Sequence, residues 1–355
     1  MSLGLDDVIA AETTLSHVDG AAGRLIVRGF DLEELAGRRS YEEVLALLWE
    51  GLAPGLAVAP ALGAARVRAF EILAPRLAML DGLTAVEGLR AGLALLPDDE
   101  ATPHHLLATA ATAVLVAAIG RRADGGEAVA PDAAAGHAAD FLRMLHGKPA
   151  SDAHVRALDT YLVTIADHGL NASTFAARVV ASTRAGLLSA VVAGLCALKG
   201  PLHGGAPGPV LDMLDAIGEE AAIEPWLEAA VDRGERLMGF GHRVYRVRDP
   251  RADVLKRTVT DLRGETNRIR FAERVEAASL GLLARRKERR GLETNVEFYT
   301  ALLLEALALP RALFTPIFAM GRVGGWAAHV LEQEASGRLI RPQSRYVGPL
   351  PRRAA

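Results

Sequence analysis

Two histidine-containing turns, GPLHGGA at residues 200–206 and MGFGHRVY at residues 238–245, lie between segments with helical patterns. Each turn places one imidazole, His203 or His242, among glycines. Glycine offers no side chain against which a histidine can pack, and it lets the backbone adopt a positive φ or approach a ligand closely. Because imidazole is the usual group for proton transfer near neutral pH, the pair of turns favours a catalytic site. Two helix-connecting turns with incidental histidines are the structural alternative.

A cluster of arginines follows the second histidine. Arg243, Arg246 and Arg248 precede the tripeptide DPR at residues 249–251. The planar guanidinium group is suited to binding carboxylates and phosphates. The sequence therefore predicts an anion site beside the second histidine turn.

The composition indicates a large helical protein. A chain of 355 residues can bury a large core and can hold two domains. Half of the residues are hydrophobic, whereas only 5% are aromatic, which favours close-packed helices over sheet. A net charge of −3 argues against a nucleic-acid-binding protein, which is usually basic.

The cysteine content and the hydropathy pattern favour a soluble cytoplasmic protein without a metal cluster. The single cysteine, Cys196, lies in an apolar helical run, so neither a disulfide within the chain nor a thiolate metal site is expected. The short acidic N-terminus does not resemble a signal peptide. The longest apolar run, residues 106–119, is too short and too rich in alanine to span a bilayer.

Local signals predict an almost entirely helical chain. The only clear strand signal near the N-terminus is RLIVRG at residues 24–29. Helix starts are indicated by capping-box pairs, in which Asp, Ser or Thr is followed three residues later by Glu. These pairs are Asp31 with Glu34, Ser40 with Glu43, and Thr84 with Glu87.

Two long apolar helices are predicted to meet at the polar turn ADHGLN, residues 166–171. The first begins at Ser151, and the second is capped by Asn171 and runs to Lys199. The turn would bring His168 to the buried end of both helices. The alternative is that this histidine caps the C-terminus of the first helix.

Three further histidines lack such a setting. Neither glycine turns nor charged clusters surround His137, His146 or His154. We interpret them as surface or helix-end residues.

The length and charge of the predicted helices change after Gly204. The helical segments become shorter and more charged, and from Val296 the sequence turns apolar again. This change predicts a smaller domain at residues 204–308, inserted into a larger helical domain formed by residues 1–203 and 309–355.

These motifs resemble those of the citrate synthase family in its shorter bacterial form. Residues 200–206 resemble its first catalytic histidine segment, and GFGHRVY at residues 239–245 with DPR at 249–251 resembles the second. The segment ADHGLNASTF at residues 166–175 is similar to the family's Ala-Asp-His-Glu-Leu-Asn-Ala-Ser segment. The C-terminal segments FTPIFAMGR and RLIRP also fit, so the resemblance covers nearly the whole chain.

The resemblance implies a fold and an activity. Members are nearly all-helical homodimers with a large and a small domain, and they condense acetyl-CoA with oxaloacetate to give citrate without a metal or other cofactor. An obligate dimer needs an apolar interface, which residues 106–119 and 173–199 could supply.

The resemblance also implies roles for individual residues. His203 would polarise the thioester carbonyl, a carboxylate would remove a proton from the acyl methyl group, and His242 would polarise the oxaloacetate carbonyl. Oxaloacetate would be held by His168, Arg251, Arg322 and Arg341, the last from the partner subunit. The backbone of Met238, Gly239, Phe240 and Gly241 would line the adenine site, and Arg246 would meet a CoA phosphate.

The segment that should supply the base departs from the family pattern. The family has Asn-Val-Asp-Phe-Tyr-Ser-Gly, whereas this chain has NVEFYTA at residues 295–301. Glu297 is one methylene longer than aspartate, which could move the carboxylate forward by about 1.5 Å. Because Thr294 with Glu297 forms a capping-box pair, the carboxylate could instead cap its own helix. The family's usual His-Pro-Met is also absent near residues 83–91.

Two questions stay open at the level of sequence. The acyl group could be acetyl or propionyl, the latter giving 2-methylcitrate, because one methylene is worth only about 1–3 kcal/mol of discrimination. The altered base segment also leaves room for a non-catalytic homologue that binds oxaloacetate, citrate or CoA as a sensor.

Overall fold

The computed structural model of the 355-residue chain describes residues 8–53, 55–204, 207–241, 245, 247–262, 267–286 and 292–349. Helices form most of this part, so the all-α prediction is confirmed. In chain order the helices are α1 (Leu32–Leu35), α2 (Tyr41–Trp49), α3 (Val58–Leu73), α4 (Ala85–Leu93), α5 (His104–Ala123), α6 (His137–His146), α7 (Asp152–Ile165), α8 (Ala172–Ser182), α9 (Leu187–Leu198), α10 (Pro207–Ile217), α11 (Ile223–Asp232), α12 (Pro250–Asp261), α13 (Asn267–Arg285), α14 (Val296–Ala306) and α15 (Phe314–Ser336).

A small antiparallel sheet precedes the helices. Its strands are β1 (Ser16–Asp19), β2 (Arg24–Val27) and β3 (Phe30–Asp31), in the order β1-β2-β3. The strand signal at β2 is confirmed, but β1 and β3 were not predicted. Both are short and depend on pairing with β2 rather than on a pattern of their own.

The predicted capping boxes have different outcomes. Ser40 and Thr84 each accept a hydrogen bond from the backbone of the glutamate three residues later, so these two boxes are confirmed. The box at Asp31 is wrong, because its side chain makes no capping bond. The Asp31 carboxylate instead accepts from the guanidinium of Arg24 on the neighbouring strand, with Nη2–Oδ2 at 2.8 Å. A cross-strand ion pair therefore competes successfully with the local cap.

The long helix predicted from Asn171 to Lys199 is two helices. Ser151 and Asn171 are N-caps as predicted, but α8 ends at Ser182 and α9 begins at Leu187. Between them Arg184 has φ 64° and Gly186 has φ 90°. Left-handed backbone cannot continue a right-handed helix, so the chain must turn here. The apolar run on either side conceals this break in the sequence.

Helix α5 is a central helix of the fold. It packs against α3, α4, α6 and α15. The helix is long and apolar enough to cross a membrane by length and composition, but 78% of its apolar window is buried inside the fold. This burial is typical of a core helix.

A buried polar cluster corrects the interpretation of His137, which is fully buried rather than on the surface. The guanidinium of Arg66 donates to Asp140 at 2.8 Å and lies 3.4 Å from the His137 ring nitrogen. The Glu42 carboxylate accepts from the His137 backbone N–H at 2.7 Å. The cluster ties α2, α3 and α6 together, and burial holds the pKa of His137 well below its ordinary value.

The helices from α10 to α14 pack largely on one another. Both α10 and α12 contact α14, and α11 contacts α13, while α12 and α14 also reach α7. The division into a domain of residues 204–308 and one of residues 1–203 with 309–355 stays a prediction. What matters for the site is that α7, α8, α12, α14 and α15 converge.

Candidate functional site

The turn after α7 positions His168. The helix ends at Ile165, so His168 lies beyond the last helical turn, and its Nε2 is 3.1 Å from the hydroxyl of Tyr245. The ring therefore contacts the second histidine turn rather than capping α7. The preceding residue, Asp167, is fully buried and lies 3.2 Å from the Nε2 of His329 on α15. This contact anchors the turn to the core.

The turn after α9 positions His203. Its Nε2 lies 2.8 Å from the hydroxyl and 3.3 Å from the backbone nitrogen of Ser173, at the start of α8. Burial, together with the nearby guanidinium of Arg322, lowers the pKa of His203 to about 4, so the ring is neutral at pH 7. A neutral imidazole carries a single N–H, which can donate one hydrogen bond.

Ser173 is itself held in place from two sides. Its hydroxyl donates to Oδ1 of Asn171, the N-cap of α8, at 2.7 Å and accepts from the indole Nε1 of Trp326 at 3.2 Å. Both Ser173 and Trp326 are buried. The orientation of the imidazole of His203 therefore depends on α8 and α15, not only on its own turn.

An ion pair at the start of α12 holds Arg251 inside the protein. Asp249, the N-cap of α12, accepts from Nε of Arg251 at 3.0 Å and from Nη2 at 2.9 Å. Burial acts to lower the pKa of Arg251, but the carboxylate outweighs it and the pKa is raised. The guanidinium also lies 5.8 Å from the ring centre of Tyr245, which contacts His168. One arginine of the site is thus paired and fixed.

The second arginine, Arg322, has a different environment. Its side chain on α15 is only 1% exposed, and its Nε donates to the carbonyl of Ile165 at the end of α7 at 2.6 Å. Among the described residues no carboxylate lies within ion-pair distance of it. Burial lowers its pKa to about 10; the carboxylate of Asp167 opposes this effect, and the nearby cation of Arg251 adds to it. A buried guanidinium that no carboxylate contacts directly is energetically costly, and an anionic ligand in contact with it would relieve that cost.

The start of α14 shows that the capping-box alternative for Glu297 is wrong. Asn295 is the N-cap, and its Oδ1 accepts from the backbone N–H of Glu297 at 3.0 Å. Glu297 is therefore the second helical residue, whereas a capping box needs the third. The hydroxyl of Thr294 donates to Glu276 at 2.7 Å instead of capping the helix. The carboxylate of Glu297 is left available for another role.

Glu297 lies in the same cluster as Arg251. Burial raises its pKa to about 7, against the opposing effect of the Arg251 guanidinium. Asp249 connects the two residues, because the carboxylate that binds Arg251 also accepts from the backbone N–H of Val296 at 3.2 Å. A carboxyl group with a pKa near 7 can accept a proton at neutral pH.

The glycine-rich segment before the second histidine is hydrogen-bonded to the N-terminus of α14. Gly239 and Gly241 have φ 87° and 84°, which favours glycine at both positions. The carbonyl of Gly239 accepts from the Asn295 N–H at 2.9 Å, and Phe240 packs on Phe298 with ring centres 5.5 Å apart. Met238 is half-buried against the core. Backbone here therefore lies beside the segment that carries Glu297.

The remaining predicted site residues are His242, Arg246 and Arg341. His242 and Arg246 lie outside the described residues, as do Arg243 and Val244 of the second histidine turn. Arg341 lies on an extended tail after α15, exposed, one residue after Ile340, whose N–H donates to Ser182 at 3.0 Å. In the single chain the tail does not add a buried cation to the site.

Three residues of the site were not predicted from the sequence to be functional: Ser173, Asp249 and Tyr245. Asp249 precedes a proline at the first helical position, which is a readable N-cap signal. The other two lie within motifs where nothing local distinguishes them. Their contacts join positions far apart in the chain, such as His168 with Tyr245.

Known proteins are similar to this chain in sequence and in fold. The family model described as the C-terminal domain of citrate synthase matches residues 4–343. A citrate synthase of Haloferax volcanii is 40% identical, with 97% of this chain and 95% of that protein covered. A 2-methylcitrate synthase of Mycobacterium tuberculosis is 37% identical, with 97% and 90% covered.

A solved structure of a citrate synthase has a fold similar to that of this chain. The ternary complex of carboxymethyl coenzyme A and oxaloacetate with the citrate synthase of Thermoplasma acidophilum has a TM-score of 0.88 at 28% identity, covering 99% of this chain and 97% of that one. These relatives are named as enzymes, which does not favour the sensor interpretation. The chain belongs to the citrate synthase family and is an enzyme of the citrate synthase type.

Proposed function

We propose that this protein condenses a short acyl-CoA with oxaloacetate. With acetyl-CoA, a proton leaves the methyl group, the resulting carbanion forms a carbon–carbon bond to the ketone carbon of oxaloacetate, and water cleaves the thioester to release citrate and CoA. The α-proton of a thioester is a very weak acid, so its removal needs a base and a hydrogen-bond donor to the developing enolate, acting together in a dry site.

The observation that carries the proposal is the buried guanidinium of Arg322. It has no carboxylate partner among the described residues, while Arg251 lies close enough to lower its pKa. Asp249 pairs with Arg251, whereas the carboxylate that acts on Arg322, that of Asp167, lies beyond ion-pair distance and pairs with His329. A dicarboxylate such as oxaloacetate would bring a carboxylate into direct contact with Arg322 and could accept from both guanidinium groups.

On the acyl side, His203 and Glu297 have the properties that the reaction requires. The N–H of a neutral imidazole can donate to the thioester oxygen as negative charge develops there. The pKa of about 7 leaves a substantial fraction of Glu297 ionised and able to accept the methyl proton at neutral pH. His203 would therefore be the electrophile and Glu297 the base.

On the oxaloacetate side, His168, Arg251 and Arg322 would bind the two carboxylates. His242 would polarise the ketone carbonyl, and Arg341 of a second subunit would complete the site. The exposed position of Arg341 on an extended tail is compatible with such a reach. The catalytic unit would then be a homodimer, acting in the cytoplasm.

The CoA moiety would be bound by the glycine-rich segment. The backbone of Met238, Gly239, Phe240 and Gly241 would line the adenine site, and Arg246 would meet a phosphate. CoA would act as substrate rather than as a resident cofactor, and turnover should need no metal. Activity after treatment with EDTA tests that expectation, and its loss would contradict it.

A CoA-release assay tests the proposal. Free CoA is followed with a thiol reagent while acetyl-CoA and propionyl-CoA are compared, each with and without oxaloacetate. We expect oxaloacetate-dependent release, and kcat/KM for the two thioesters to identify the preferred acyl group. The 37% identity to a 2-methylcitrate synthase is the reason for including propionyl-CoA. No release with either thioester would overturn the proposal.

A further inference from the structure

Tyr161 is a buried tyrosine whose hydroxyl has no hydrogen-bond partner among the described residues. A hydroxyl that is removed from water without a partner costs free energy, and buried tyrosines usually satisfy theirs. Tyr41 on α2 shows the usual arrangement, because its equally buried hydroxyl donates to the carbonyls of Met320 and Gly321 at 3.1 and 2.9 Å. The two tyrosines therefore differ in what their hydroxyls bind in the ligand-free chain.

Tyr161 lies at the site described above. It is on α7 one turn before Ile165, whose carbonyl accepts from Nε of Arg322. Helix α7 packs against α15, which carries Arg322, and against α12, which carries Arg251. Burial raises the pKa of its phenol, and the cations of Arg322 and Arg251 both act in the opposite direction, as expected for a hydroxyl close to both.

We infer that the Tyr161 hydroxyl is a ligand donor: it donates a hydrogen bond to the carboxylate that Arg322 and Arg251 bind. A carboxylate placed between the two guanidinium groups has lone pairs to spare, and a hydroxyl without a protein partner can donate to one of them. The inference rests on the proposed function and adds a substrate-positioning residue that neither histidine turn contains. Tyr161 would act in binding and would take no part in proton transfer.

The change Tyr161→Phe separates this role from a structural one. Because the hydroxyl has no partner in the ligand-free protein, its removal should leave the midpoint of thermal unfolding unchanged or higher. The KM for oxaloacetate should rise about tenfold or more, since a bond to a charged group is lost, with kcat and the KM for acetyl-CoA within about twofold of wild type. The stabilisation of the protein by oxaloacetate in thermal unfolding should shrink in parallel.

Tyr41→Phe is the matched stability control. It removes a hydroxyl that has partners, so the ligand-free protein should unfold at a lower temperature. A KM for oxaloacetate within twofold of wild type in Tyr161→Phe would overturn the inference. So would a rise in both KM values together with a lower unfolding temperature, because that pattern indicates a structural role.

The same experiment distinguishes failure of the inference from failure of the proposed function. If the unaltered protein neither releases CoA nor is stabilised by oxaloacetate, the proposed function is wrong and the inference fails with it. If the unaltered protein does both and Tyr161→Phe behaves identically, only the inference is wrong.

Discussion

Burial sets the ionisation of the two groups that would act on the acyl substrate, His203 as hydrogen-bond donor and Glu297 as base. It lowers the pKa of His203 to about 4 and raises that of Glu297 to about 7. The direction differs because burial disfavours the charged form, which is the cation of histidine and the anion of glutamate. Burial therefore keeps His203 neutral, as a hydrogen-bond donor, and makes Glu297 a stronger base than an exposed glutamate.

Removal of the carboxylate of Glu297 tests its role as the base. We expect Glu297→Gln to reduce kcat by about 10²–10⁴, because an amide cannot accept the methyl proton. Stability at neutral pH should not fall, since the N-cap of α14 is Asn295 and glutamine has no charge to bury. Glu297→Asp is the matched control and should keep measurable activity. Exchange of the acetyl-CoA methyl protons with deuterated water, followed by NMR, measures the step directly; near-normal exchange in Glu297→Gln would assign the base to another group.

The pH dependence should follow Glu297. The base must be ionised, so kcat/KM should rise with pH and level off above an apparent pKa of about 7. His203 is already neutral throughout this range and should not contribute. A pH–rate profile that is flat between pH 5.5 and 8.5, roughly one and a half units either side of that pKa, would contradict this assignment.

Stability should depend on pH in the opposite direction. The folded protein binds a proton on Glu297 more tightly than the unfolded chain does, because burial raises the folded pKa. The contribution of this group to the free energy of unfolding is therefore full below the ordinary glutamate pKa, and it falls as the pH rises to about 7. Urea unfolding at several pH values should show a smaller decline for Glu297→Gln than for wild type.

At the scale of elements, Asp249 joins two helix starts. Its carboxylate caps α12, pairs with Arg251 and accepts from the first N–H of α14. We expect Asp249→Ala to lower the free energy of unfolding by about 3–5 kcal/mol, because it removes the buried carboxylate that pairs with Arg251. Denaturant unfolding measures the loss. Asp81→Ala is the control, since it breaks an exposed pair with Arg122 and should cost at most about 1 kcal/mol; equal losses would show that the Asp249 pair is not special.

The break between α8 and α9 is a second element-scale feature. Gly186 has φ 90°, so Gly186→Ala should destabilise the protein by about 1 kcal/mol or more. Gly281 lies inside α13, where an added Cβ would meet only the end of the Arg285 side chain, at 3.8 Å, so Gly281→Ala should stabilise by about 0.5–1 kcal/mol. Thermal unfolding should show opposite signs for the two changes, and the same sign for both would refute this account of the turn.

At the scale of the whole molecule, α5 cannot supply the apolar surface that was predicted for a dimer interface. This helix is already buried within the chain. Surface that is covered inside one subunit cannot be buried again against another. The segment of α8 and α9 keeps partly exposed positions and remains a candidate.

Shared sites in a dimer can be tested by complementation. His203→Ala and Arg341→Ala should each be nearly inactive alone. When both chains are co-expressed, heterodimers contain one site with both residues intact, so about a quarter of wild-type activity should return. Sedimentation confirms the assembly state. Recovery that does not exceed the sum of the two variants, with dimers present, would show that Arg341 serves its own subunit.

The sequence alone determined the features that are written in short segments. Glycine–histidine turns, the N-caps at Ser40, Thr84 and Asn171, and the family motifs each depend on a few neighbouring residues, so they could be read directly. The fold class followed from the helical periodicity and the low aromatic content.

Only the tertiary structure decided which charges are paired and which side chains meet. Arg322 is a ligand candidate because packing buries it without a carboxylate partner among the described residues, and Tyr161 because its neighbours leave its hydroxyl unbonded. Glu297 is freed from its cap because the helix begins one residue later than the capping-box spacing required. These properties depend on contacts between residues far apart in sequence, and burial then fixes their energies, which no local pattern encodes.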